Sequence, residues 1–226
     1  KSRSLAASLI KQGSVEVNGR ICTKASFAVD ENDNIRIIGE MPKYVGRGGM
    51  KLEKALSHYR LHLDGSVCID IGASTGGFTD CMLQNGAVKV YSVDVGTDQL
   101  DEKLRNDPRV VSMEKTDIRN CVGSLPAVDF IGIDVSFISL KLVLPSAYAL
   151  LKDGGECVAL IKPQFEAGKS HLSKHGIVRD SKVHKKVCDD ISEFASTLGF
   201  ERGEVISSPI TGGDGNTEYL IYLRRL

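Results

Sequence analysis

The stretch Val67-Cys68-Ile69-Asp70-Ile71-Gly72-Ala73-Ser74-Thr75-Gly76-Gly77-Phe78 concentrates the residue types that could hold a ligand. An apolar run carries an acid near its end, a glycine-rich turn follows, and a helix begins. Glycines let the backbone turn sharply and approach a ligand closely, while the first N–H groups of a helix are free to meet a carboxylate. The order Gly72-x-x-x-Gly76-Gly77 fails the Gly-x-Gly-x-x-Gly fingerprint of a dinucleotide pyrophosphate site. A turn of this kind suits the amino-acid end of S-adenosylmethionine. Asp94, followed by Val95, closes the next apolar run, where an acid would accept hydrogen bonds from ribose hydroxyls. Asp117, in Thr116-Asp117-Ile118, is placed to meet an adenine amino group. Acids at three successive strand ends make a cofactor cleft the expected use of these residues.

Two more groups emerge where strands should end. Asp134 stands in Ile133-Asp134-Val135-Ser136-Phe137, and Lys162 in Leu160-Ile161-Lys162-Pro163-Gln164-Phe165. Ligands bind outside the carboxyl ends of strands in open α/β sheets, so these side chains are expected to converge beside the cofactor, Asp134 touching it. A satisfied ion pair is the alternative reading of an acid and a lysine in such places.

The elements that must position them alternate from Met50 onward. Lys51 to His58 and Phe78 to Asn85 read as helices. Val67 to Ile71, Val88 to Val93, Val110 to Met113, Phe130 to Ile133 and Cys157 to Ile161 read as strands. Val183 to Leu198 reads as a long helix, followed by strands near Gly203 to Ser207 and Tyr219 to Leu223. This predicts an α/β class: a Rossmann-like doubly wound sheet of the methyltransferase type, over residues 50–226, with its last strand antiparallel. Residues 42–49, with Pro42 and Gly46-Arg47-Gly48-Gly49, read as a linker.

Residues 1–41 read as a small α+β module. Ser4 to Gln12 is helical in pattern, Val15-Glu16-Val17 alternates into an Asn18-Gly19 turn, and Ala28 to Ile38 carries further strand character around Asp30 to Asn34. The pattern Ser2-Arg3-Ser4-x-Ala6 through Leu9-Ile10, Gly13-x-Val15-x-Val17-Asn18-Gly19 and Asp33-x-Ile35 resembles the RNA-binding domain first known from ribosomal small-subunit protein four. The likeness starts partway into that domain, so its opening helix is expected ahead of Lys1. Arg3, Lys11, Arg20 and Lys24, with Arg47 in the linker, are the expected RNA contacts. A hairpin that merely caps the larger domain is the alternative.

Composition excludes several classes. The 29 basic and 29 acidic residues cancel, yet residues 1–64 carry 11 basic against 7 acidic and the rest 18 against 22. A modest positive bias on the leading module fits phosphate contact. No apolar run approaches the roughly 18 residues of a membrane span, and Lys1 to Ser8 lack a signal peptide's apolar stretch, so a soluble, cytoplasmic protein is expected. Six cysteines without a Cys-x-x-Cys pair, and the His58/His62 and His171/His175 pairs without a third ligand, leave no metal site to expect.

Further hallmarks complete a set: Arg47-Gly48-Gly49-x-Lys51-Leu52, Asp70-x-Gly72-Ala73-Ser74-Thr75-Gly76-Gly77-Phe78-Thr79-Asp80, Asp134-Val135-Ser136-Phe137, Lys162-Pro163-Gln164-Phe165-Glu166, Gly176-Ile177-Val178-Arg179-Asp180 and Asn216-x-Glu218. On these the chain resembles, over essentially its whole length, the TlyA family, often labelled hemolysin A, a branch of the FtsJ-like ribose 2′-O-methyltransferases. The turn reads Ala73-Ser74-Thr75-Gly76 where the FtsJ branch has Ala-Ala-Pro-Gly, which favours the TlyA branch. The resemblance implies that Lys51, Asp134, Lys162 and Glu218 form a Lys-Asp-Lys-Glu tetrad for methyl transfer from S-adenosylmethionine to a ribose hydroxyl of ribosomal RNA, with cytidine the expected nucleotide. Lys162 is the expected base, held by Asp134, with Lys51 and Glu218 orienting the ribose. Gln164 to Asp180 reads as a substrate loop that orders on RNA. A catalytically idle RNA-binding or assembly factor and a pore-forming hemolysin are the rival classes. The first is disfavoured by the intact tetrad, the second by the missing membrane segment.

Overall fold

The computed structural model describes residues 3–11, 13–39, 42–213 and 215–226, which fall into two units divided between Val45 and Gly46. The first unit holds α1 (Arg3–Lys11), β1 (Val15–Val17), β2 (Arg20–Ile21) and β3 (Ile35–Ile37). Its antiparallel sheet has the order β2-β1-β3. Asn18 and Gly19, both at positive φ, make the two-residue turn between β1 and β2, the conformation that Asn-Gly favours. Leu9, Val15, Val17, Cys22 and Tyr44 are buried apolar residues among those described in this unit.

Strand character expected from Ala28 to Ile38 is realised only at β3. The Asp33 carboxylate accepts from the Asp30 N–H and from Asn18 Nδ2, so the polar run closes on itself as a turn. Lys11, Arg20 and Lys24 are exposed. The side chain of Arg3, Met41 at the end of the expected module and Gln12 at the end of the expected helix lie outside the described residues.

The second unit runs α2 (Gly48–Tyr59), β4 (Val67–Ile71), α3 (Gly77–Gln84), β5 (Lys89–Val93), α4 (Glu102–Arg105), β6 (Val110–Met113), β7 (Val128–Ile133), α5 (Leu140–Leu150), β8 (Leu151–Ile161), α6 (Pro163–Glu166), α7 (Ser181–Thr197), β9 (Phe200–Ser207) and β10 (Tyr219–Arg225). The strands form a seven-stranded sheet ordered β6-β5-β4-β7-β8-β10-β9. The first five are mutually parallel, and β10 runs antiparallel to both β8 and β9. Ile69, Ile71, Ile131, Ile133, Ala159 and Ile161 are buried in one core with Leu140 and Leu144 of α5 and Ile191 of α7. Strands covered on both faces read as continuous apolar runs, which is why β4 coincides with its sequence-derived limits; β6, at the edge of the sheet and only partly buried, coincides with its own.

Helix α5 has no counterpart in the sequence reading. Its run Leu140-Lys141-Leu142-Val143-Leu144-Pro145 is apolar nearly all round and contains a proline, so neither periodicity nor breaker rules marked it as helical. Ser139 starts it by accepting from the Lys141 N–H. α2 begins at Gly48, inside the stretch expected as linker. The order of the sheet reverses between β4 and β7, and the crevice outside their carboxyl ends is where such a fold binds ligands.

Candidate active site

Glycines decide how closely the elements around the crevice approach. Gly72 follows β4 at φ +85°, and a Cβ there would stand 2.5 Å from the Asp134 carbonyl oxygen. Only glycine lets the β4 and β7 ends draw together in this way. A Cβ on Gly77 would stand 2.8 Å from Gly49 N and 3.1 Å from Gly46 O. The starts of α2 and α3 therefore pack backbone against backbone, and α2 carries Lys51 over the strand ends.

Four charged side chains meet there. Lys162 Nζ lies 2.6 Å from Asp134 Oδ1 and donates to Ser136 Oγ at 2.9 Å. Lys51 Nζ lies 2.6 Å from Glu218 Oε2 and 3.6 Å from Asp134 Oδ2. The result is a chain Lys162–Asp134–Lys51–Glu218 with Asp134 between two cations. Lys51, Lys162 and Glu218 are buried and Asp134 is partly exposed, so the charges are poorly screened and each depends on its neighbours.

Two adjoining clefts open on this chain. One, of about 300 Å³, is lined by Arg47, Lys51, Ala73, Thr75, Lys162 and Glu218 among others. The second, of about 390 Å³, is lined by Asp94, Val95, Asp117 and Ile118 with the apolar side chains of Ile71, Val93, Ile138 and Val143. Gly72, Ser74, Asp134, Ser136 and Phe137 line both. Gly77 and Phe78 line the first only. Asp94 is already engaged: Oδ2 accepts from Ser74 N at 2.8 Å and Oδ1 from Gly96 N at 2.7 Å, which fixes the glycine turn to the end of β5.

Two acids that the sequence places at the cofactor stand differently. Asp70 is fully buried and lines neither cleft. Its Oδ2 accepts from the Thr79 N–H at 2.8 Å and the Thr79 hydroxyl at 2.6 Å, so it anchors the first turn of α3 rather than facing a ligand. Burial pushes its carboxyl up to about 7, against the Thr79 hydrogen bonds and with help from the Asp134 and Asp94 charges. Asp117 lines the second cleft, but its carboxylate is forked onto Arg119, Nη2 at 2.6 Å and Nε at 3.0 Å. Hydrogen bonds from Arg119 hold it below the ordinary carboxylate range. Gly76 also lies off both clefts; its φ of +93° and the close approach of Leu104 are what require glycine.

Several residues of the site were not expected. Ser136 shares Lys162 with Asp134. Gln99 accepts from the Ser74 hydroxyl at 3.1 Å. Phe137 is 91% exposed at φ +63°, and its ring lies 5.0 Å from that of Phe165. A bulky residue held in the left-handed region is strained. The hallmark pattern named these phenylalanines without a role, and only the backbone angle and exposure single them out. Among the described residues no group of three or more His, Cys, Asp or Glu side chains could hold a metal ion.

A sheet reversed at β4/β7, a glycine turn at the reversal, and paired lysines and acids at the mouth of two clefts define a Rossmann-like methyltransferase. Residues 44–225 match the FtsJ-like methyltransferase family and residues 1–35 the S4 domain, and the chain belongs to the FtsJ-like methyltransferase family. It is 46% identical over 228 residues to the Bacillus subtilis protein named "putative rRNA methyltransferase YqxC", spanning 99% of this chain and 80% of that protein. It is 38% identical over 227 residues to the 16S/23S rRNA (cytidine-2′-O)-methyltransferase TlyA of Mycobacterium tuberculosis, spanning 99% and 85%. The solved structure of a "putative hemolysin" from Streptococcus thermophilus shares 47% identity at a TM-score of 0.83, over 99% of this chain and 83% of that one. The resemblance drawn from the sequence hallmarks is borne out.

Proposed function

We propose that the chain transfers a methyl group from S-adenosylmethionine to a ribose 2′-hydroxyl of ribosomal RNA, with a cytidine as the nucleotide. The observation that carries this reading is the Lys162–Asp134–Lys51–Glu218 chain at the junction of two clefts. The clefts suit the cofactor: the second has apolar walls for a nucleobase and Asp94 for ribose hydroxyls, and the first has the glycine turn for the amino-acid end. Ala73, Ser74, Thr75, Gly77, Phe78, Val95 and Ile118 complete the proposed cofactor wall. Asp70 and Gly76 act behind it, shaping the turn.

When bound, S-adenosylmethionine supplies an already activated methyl group, so the protein's task is to align the acceptor and remove one proton. Lys162 Nζ takes that proton from the hydroxyl. Asp134 and Ser136 fix the direction of Lys162 Nζ, while Lys51 and Glu218, joined at 2.6 Å, orient the ribose. The exposed Phe137 ring offers a face on which a base can stack. Lys11, Arg20 and Lys24 on the S4-like unit, with Arg3, and Arg47 at the cleft, contact RNA phosphates. A cytoplasmic location follows from that substrate.

The test is labelled methyl transfer to separated small and large ribosomal subunits from a strain lacking the gene. Label that resists alkaline cleavage at one nucleotide, absent with Asp134→Ala, is expected. No label on either subunit despite cofactor binding would overturn the reading in favour of an assembly factor. For the base, Lys162→Ala should lose far more activity at saturating cofactor than the exposed Lys185→Ala; equal losses would remove Lys162 from that role.

A further inference from the structure

Between α6 and α7 the backbone leaves the sheet and returns, and it is pinned on return by one buried amide. Asn216 is 1% exposed. Its Oδ1 accepts from the Val178 N–H at 3.1 Å, and its Nδ2 donates to the Gly176 carbonyl at 3.1 Å. The side chain thus pairs with residues 176–178 as a neighbouring strand's backbone would. The Val178 carbonyl is held in turn by His184 Nε2 at 2.8 Å, whose Nδ1 meets the Tyr219 hydroxyl at 2.8 Å. Residue 178 is therefore tied through both its N–H and its C=O, to positions 216 and 219, which flank Glu218.

The backbone around Asn216 is fixed as well. Its carbonyl accepts from Gly212 N at 2.9 Å, and the Glu218 carbonyl accepts from Ser208 N at 2.9 Å. Glu218 precedes β10, so its carboxylate depends on this bracket to reach Lys51. An amide suits the place: no other short side chain offers both an acceptor and a donor in one plane.

We propose that Asn216 is a positioning residue for methyl transfer, setting the Glu218 carboxylate on Lys51 by docking residues 176–178 against the start of β10. This rests on the methyl-transfer reading. Asn216 lines neither cleft, so its effect belongs to kcat rather than to cofactor affinity.

The experiment is a double-mutant cycle in the full chain, with single-turnover methyl transfer to ribosomal subunits and calorimetric titration of S-adenosylmethionine. Asn216→Ala is expected to lower the rate tenfold or more, since small misplacements at a reacting centre can cost about a hundredfold, and to leave the cofactor Kd within about twofold. In the Glu218→Gln background the same substitution should change the rate less than about twofold, because the group it positions is gone. Equal losses in both backgrounds, or a loss of cofactor affinity that matches the loss of rate, would overturn the proposal in favour of a purely structural role. Should the alanine variant fail to fold, Asn216→Asp, which keeps the acceptor for Val178 and loses the donor to Gly176, enters the same cycle with the same two readings. A wild-type chain that binds cofactor and transfers nothing would sink the methyl-transfer reading instead.

Discussion

Asp70 carries a measurable consequence for stability. Its carboxyl is fully buried with Oδ1 unpartnered, and burial raises it from 3.8 to about 7. A carboxyl raised in the folded state binds protons more tightly there than in the unfolded chain. Its contribution is fully present below about pH 4 and is lost as pH rises through 7. A shift of about three units corresponds to roughly 4 kcal/mol over that window, at about 1.4 kcal/mol per pH unit. Asp70→Asn keeps an acceptor for Thr79 and cannot ionise. Urea unfolding at pH 5, 6, 7 and 8, followed by circular dichroism because the chain lacks tryptophan, should show the variant gaining on the wild type by about 2–3 kcal/mol between pH 5 and 7. Curves that stay parallel across this range would refute the account of Asp70 as a buried, proton-binding anchor for α3.

Gly72→Ala should cost roughly 2–3 kcal/mol and abolish measurable cofactor binding by calorimetry, because φ +85° and the Asp134 carbonyl at 2.5 Å leave no room for a methyl group. Phe137→Gly should leave the melting temperature unchanged or raised, since it relieves about 1 kcal/mol or more of left-handed strain, while raising the KM for ribosomal subunits in the transfer assay. Glu166→Ala should destabilise by about 1–2 kcal/mol in denaturant unfolding, because Oε1 accepts from Leu140 N at 2.8 Å and Oε2 from the Ser139 hydroxyl at 2.6 Å at the start of α5.

The middle of the sheet was legible because its strands are covered on both faces: Val67–Ile71 falls where the pattern puts it, and the short apolar run of the edge strand Val110–Met113 does so too. β8 extends six residues earlier than read, through Asp153-Gly154-Gly155, where a register irregularity against β7 lets polar residues sit in a strand. The meeting of Lys51, Asp134, Lys162 and Glu218 was anticipated from family hallmarks rather than from spacing, since Lys51 and Glu218 pair across 167 positions. Strand-end position predicted where Asp70 and Asp117 begin, but not where their carboxylates point. Thr79 and Arg119 decide that, and local pattern does not encode such a choice. Asn216 shows the same limit: its partners lie 38 and 40 residues away.

The placement of β10 has a consequence for the order in which this protein becomes complete. β10 follows the sheet's other strands in sequence and sits between β8 and β9, so the sheet's edge hairpin closes only once Tyr219–Arg225 is available. Every residue lining the two clefts precedes it by more than fifty positions, apart from Gly213 and Glu218 in the segment leading into β10 itself. Glu218 stands at the threshold of that strand. On a chain emerging from synthesis, Lys51 is among the first site residues to appear and waits for a partner that is among the last. The fold thus schedules its chemistry: a pocket can assemble early, but the charge pair that orients an acceptor cannot exist until the chain has been made through Glu218.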